Sequence, residues 1–103
     1  MKPIDLRAAA AELPDSWHSH VLAKVGAARF KVSRMDGGPY LDECHDHAEV
    51  LVVLEGQMNL VIDGVAAPVR AGEMIQVEAG VRHGVAPGSH GTLLIFNQLD
   101  GAA

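Results

Sequence analysis

A chain of 103 residues with 49% apolar side chains and only one Trp, one Tyr and two Phe supports one compact domain, whose core must be built mainly from Val, Leu, Ile, Ala and Met. The single cysteine, Cys44, excludes an intramolecular disulfide, and the N-terminal MKPIDLRAAAAEL lacks the long apolar stretch of a signal peptide or membrane span, so a cytoplasmic protein is expected. The net charge of −5 is uneven, because Met35 to Val69 carries seven acidic residues and no Lys or Arg; this excludes a phosphate-backbone footprint, and no nucleic-acid or membrane partner is expected.

In chain order, the Ala-rich stretch from Ile4 to Leu13 places Ile4, Leu6, Ala10 and Leu13 at helical spacing, with Pro14 as a stop. A short N-terminal helix and arm over residues 1–20 is predicted. The pattern then changes to runs of five to nine residues: VLAKV, ARFKVSRM, EVLVVLEG, QMNLVIDG, APVRAGE, MIQVEAG, VRHGVAPG and GTLLIFNQL. Turns are expected at DGG (36–38), EG (55–56), DG (63–64) and AG (71–72 and 79–80), where glycine supplies positive φ. Short strands at such regular spacing predict an all-β sandwich or barrel over residues 21–100, within one domain of 1–103.

The segment DECHDHAEVLVVLEG (42–56) holds two histidines, a cysteine and five acids, all but Glu55 ahead of an aliphatic run. Glu43, His45, His47 and Glu49 share one strand parity. On a straight strand residues 43 and 49 would stand roughly 20 Å apart, so the chain must turn between them if they serve one ion. Residues 45–48 are the expected place.

This segment resembles the first motif of the cupin superfamily, G(x)5HxH(x)3–4E(x)6G, through Glu49 and Gly56. The stretch GEMIQVEAGVRHGVAP is similar to the second, G(x)5PxG(x)2H(x)3N, through Gly72, Gly80 and His83. The resemblance implies a jelly-roll barrel (a double-stranded β-helix) with a short N-terminal helix or arm. It also implies a divalent transition metal (Mn, Fe, Ni, Co or Zn), a small-molecule ligand or substrate, and a homodimer formed by pairing or exchanging edge strands. Metal-dependent oxygenases and isomerases both occur in that superfamily, and no residue here is diagnostic of either.

The sequence departs from the family where the ligands lie. The literal HDH at 45–47 leaves one residue before Glu49, and Glu78 and Pro87 stand where the second motif has proline and asparagine. Three ligand sets follow, each including Glu49 and His83: Glu43 with His45, which keeps the turn; His45 with His47, which needs a tight bulge; and Asp42 with Cys44, an uncommon donor mixture. A fourth arrangement holds no metal, its polar groups being hydrogen-bonded within a cavity.

Two functional alternatives accompany the metal-binding one. The barrel is then either a metal-free module that binds a small ligand without catalysis, or a structural protein whose interior is filled by Met35, Met58 and Met74. Trp17 is expected to pack, and His18, His20 and His90 to be solvated.

Overall fold

The computed structural model describes residues 1–98. Helix α1 covers Leu6–Ala11, and eight strands follow among the described residues: β1 His20–Val25, β2 Ala28–Asp36, β3 Tyr40–Glu43, β4 Glu49–Ile62, β5 Val65–Arg70, β6 Met74–Val77, β7 His83–Val85 and β8 His90–Gln98. The expected extension of the last strand over Leu99, and of the barrel to residue 100, lies outside those residues.

All pairings are antiparallel. The sheet runs β1-β2-β8-β4-β7-β3, with β5 and β6 also paired to β4. The long β4 curls this sheet onto itself. Its first half lies between β6 and β8, and its second half pairs with β5 and β7. Burial alternates with period two on both sides of the bend, but its phase changes: Glu49, Leu51 and Val53 point inward before it, Met58 and Leu60 after it.

That continuity corrects the expected turn at 55–56. A register irregularity falls between Val53 and Glu55, and Gly56 lies opposite Gly91 in β8. A Cβ on Gly56 would run into the His90 carbonyl, and one on Gly91 into the Glu55 carbonyl. Positive φ at Gly56 (85°) and Gly91 (109°) therefore bends two adjacent strands together instead of reversing one. A true reversal comes at Asp63 and Gly64, whose φ values of 48° and 81° suit the two-residue turn joining Ile62 to its partner Val65.

The helix is shorter than predicted. The Asp5 carboxylate accepts from the Ala8 amide and fixes the start, leaving Ile4 outside and exposed. Its last carbonyls are met from another element: Arg34 Nη1 of β2 donates to the Ala10, Ala11 and Leu13 carbonyls at 2.8, 3.3 and 2.9 Å. Ala10 and Leu13 are thereby docked on Val32 and Leu94, forming a small cluster on the outer face of the sheet.

The main core lies inside the barrel, around Met35, Leu51, Val53, Met58, Leu60, Val69, Val77 and Leu93. Full burial of a side chain such as Val53, Met58 or Leu60 contributes about 1.5–3 kcal/mol. Met74 does not belong to this core, being 55% exposed, so the methionine-filled interior holds only for Met35 and Met58. Toward one end the interior is open, as a cavity of about 260 Å³.

Candidate metal centre

Strand β3, which has no separate hydrophobic run in the sequence, pairs with β7 so that Glu43 stands opposite His83. The two strands approach closely because Gly84 has no side chain; a Cβ there would meet the Asp42 carboxylate. After Glu43 the chain turns through residues 44–48 before Glu49 begins β4. The Gly80 amide donates to the His45 carbonyl at 2.8 Å, tying this turn to the loop that leads to His83. Gly80 itself has φ 79°, so the second-motif glycine serves the first-motif turn.

The result is a compact group. Donor atoms of Glu43, His45 and His83 all lie within 4.8 Å of one another. His45 Nε2 is 2.9 Å from Glu43 Oε2, and the His45 and His83 rings are 5.4 Å apart, centre to centre. Glu49, 8% exposed, joins through His83: its Oε1 is 2.9 Å from His83 Nε2. His47 also lines the cavity, but its ring stacks on His45 at 5.1 Å and its Nδ1 lies 3.2 Å from the Asp46 carboxylate. Asp42 and Cys44 are exposed and do not line the cavity.

His83 is 6% exposed and is held at both nitrogens. Its Nδ1 is 2.9 Å from the Val81 carbonyl, which can only accept, so Nδ1 carries a proton and donates it. Its Nε2 then faces a carboxylate oxygen, a second acceptor. Two lone pairs at 2.9 Å need either a proton shared between them or a metal ion bound by both from one side. A histidine whose far nitrogen is fixed on a backbone carbonyl while the near one faces a carboxylate could hold a metal ion with its outer support in place. The donor chemistry, imidazole nitrogen with carboxylate oxygen, fits a first-row divalent ion.

Aromatic groups close one side of the cavity. Trp17, with φ 66°, stacks on Tyr40 at 5.3 Å, and its indole Nε1 donates to Asp36 Oδ1 at 2.8 Å. The Gly38 amide and that indole hold the Asp36 carboxyl below its ordinary pKa. Burial pushes the Tyr40 phenol up, and the adjacent Glu43 charge and a hydrogen bond to Glu43 push the same way. Tyr40 therefore adds a second contact to Glu43 beside that of His45. Trp17 packs as expected and lines the cavity as well. His18, His20 and His90 are exposed, though His90 begins β8 instead of lying in a loop.

Several lining residues carried no motif. Arg29, Lys31 and Ser33 of β2 and Asn97 of β8 all face the cavity. Strand parity was the available signal, since Arg29, Lys31, Ser33 and Met35 alternate with Phe30, Val32 and Arg34. Read alone it misleads, because apolar Phe30 and Val32 are what such a pattern assigns to the interior. They pack against the N-terminal arm on the outside.

Comparison with known proteins agrees with this architecture. The Cupin domain family model matches residues 31–96. A cupin-2 domain containing protein from Shewanella frigidimarina is 23% identical, with a TM-score of 0.84 over 93% of this chain and 94% of that one. A protein from Neisseria meningitidis is 23% identical, with a TM-score of 0.79 over 95% and 100% of the two chains. A cupin superfamily protein from Desulfitobacterium hafniense is 16% identical, with a TM-score of 0.75 over 97% and 94%. No curated protein matches the chain. The curled antiparallel sheet with its short N-terminal helix is thus the jelly-roll barrel of these proteins.

Proposed function

The chain belongs to the Cupin domain family, and from that premise we propose that its barrel holds one divalent transition metal ion and binds a small molecule beside it. The observation that carries this reading is the buried His83, whose two nitrogens both face acceptors at the cavity wall. We assign His83, His45 and Glu43 as ligands, with Glu49 completing the set through the oxygen that faces His83 Nε2. His47 is placed behind His45, where its stacked ring restrains the ligand's orientation.

An ion bound there supplies Lewis-acid polarisation of a coordinated oxygen. The chain's own residues do the rest. Tyr40 and Val81 hold Glu43 and His83 in their orientations. Trp17 and Tyr40 screen the group from bulk water, and Leu51, Met58, Leu60 and Leu93 offer an apolar surface for the carbon body of a ligand. Oxygenation and isomerisation of a small molecule, the two reactions that the resemblance implies, are the ones to assay.

One observation favours a metal-free ligand-binding module instead: among the described residues, no buried side-chain nitrogen or oxygen lacks a hydrogen-bond partner. Metal analysis by inductively coupled plasma mass spectrometry, after reconstitution with Mn, Fe, Co, Ni or Zn, separates the two. One equivalent retained through gel filtration, and lost in His83→Ala, is expected. No uptake by the wild type favours the metal-free module.

A further inference from the structure

We propose that the outer face of the sheet formed by β1, β2, β8, β4 and β6 is the surface on which a second copy of this chain docks, with Phe96 at its centre. The inference is independent of the metal reading.

Register defines the face. Ala23, Phe30, Phe96, Val50 and Gln76 stand side by side in one row across the five strands. The next row in phase runs through His20, Val32, Leu94, Val52 and Met74. Neither row contains a Lys, Arg, Asp or Glu, although 20% of the chain is charged. Lys24, Arg29, Lys31 and Glu49 of the same strands take the alternate positions and so the opposite side.

An antiparallel sheet with one face in water alternates apolar and polar residues, the polar ones outward. This outer face has instead the composition of a covered surface. Helix α1 covers one flank of it, where Ala10 and Leu13 dock on Val32 and Leu94, and leaves Phe96 38% and Met74 55% exposed. Contiguous apolar surface of this kind marks an interaction site. Charge is depleted and Phe and Met are enriched, as at the core of an interface between chains. The Phe30 and Phe96 rings meet edge to face, 4.6 Å between centres, and supply a rigid aromatic anchor in the middle of the patch.

Shape, size and charge point to a second copy as the occupant. Five strands at about 4.8 Å, and the part of β8 beyond Gly91 at about 3.3 Å per residue, give a face of roughly 550 Å² before the relief of its side chains is counted. Stable specific complexes bury about 600–1,000 Å² per partner. The helix stands about 10 Å above the sheet, which is also the distance at which two sheets stack. A copy related by a two-fold axis in the plane of the face lays its open half on this open half, and the two helices fill the gap at either flank. An uncharged face meets itself without repulsion and offers nothing to select an oppositely charged partner.

Sedimentation equilibrium on the full chain tests this with Phe96→Lys and Met74→Lys on the face, and with Val65→Lys as a control at an exposed apolar residue of β5, outside it. Wild type is expected to be a dimer of twice 10.9 kDa. Each face variant is expected to raise the dimer dissociation constant by about thirtyfold or more, with the far-ultraviolet dichroism of the wild type, while Val65→Lys leaves it unchanged. If Phe96→Lys does not fold, Met74→Lys, at the more exposed position, decides alone. Wild type that stays monomeric at millimolar concentration overturns the proposal. So does a dimer that the folded face variants leave intact, whose contact then lies elsewhere, such as the β1 edge, and so does equal weakening by Val65→Lys, which would make the effect one of added charge anywhere on the chain.

Discussion

The assignment of ligands comes down to which side chain stands beside His45. Glu43 contacts it at 2.9 Å within the compact group, whereas His47 stacks on its face. Glu43→Gln is therefore expected to lower metal affinity by more than about 100-fold, and His47→Ala by about tenfold, the range for loss of an outer supporting contact. Competition with a chromophoric chelator reads both. The reverse order would move the ligand role to His47. At this scale the motifs offered Glu49 and His83 as candidates, and counting back from Glu49 at the family spacing offered Glu43 and His45. The family pattern also left His47 as a second alternative, since spacing cannot tell a ring edge from a ring face. The places of Arg29, Lys31 and Asn97 on the cavity wall were harder to read, because they depend on neighbours in other strands.

Among the elements, β4 sets the geometry. Its first half presents Glu49 to the cavity and its second half carries Ile62 opposite His83, so the bend between them fixes the distance from one ligand strand to the next. Gly56→Ala puts a methyl against the His90 carbonyl and forces a side chain into positive φ. A loss of about 1–3 kcal/mol is expected, measured by urea unfolding, with weakened metal binding in the surviving fold. A variant as stable as wild type would show that the bend does not depend on this close approach. The sequence marked the glycine but not its use, because EG between two hydrophobic runs reads equally as a hairpin or as a bend in one strand. The short helix was legible through its alanines, while its end was set by Arg34 from β2, a contact that local sequence cannot contain.

For the whole molecule, the regular strand runs and glycine turns pointed to a barrel, and the family match over residues 31–96 agrees with it. What the barrel leaves uncovered bears on assembly. Strand β1 lies at one edge of the sheet and exposes Val21 and Val25, with Phe96 exposed on β8. Unpaired edges invite pairing with another chain, and we propose a homodimer; light scattering after size-exclusion chromatography should give twice 10.9 kDa, and a monomer at all concentrations would remove it. The central claim, one ion inside the barrel, is tested most directly by anomalous diffraction from crystals grown with Zn²⁺ or Mn²⁺. A single peak about 2.0–2.2 Å from donors of Glu43, His45 and His83, with Glu49 Oε1 turned toward it, is the result predicted. Peaks only at surface histidines such as His18 and His20, with His83 still bonded directly to Glu49, would contradict it.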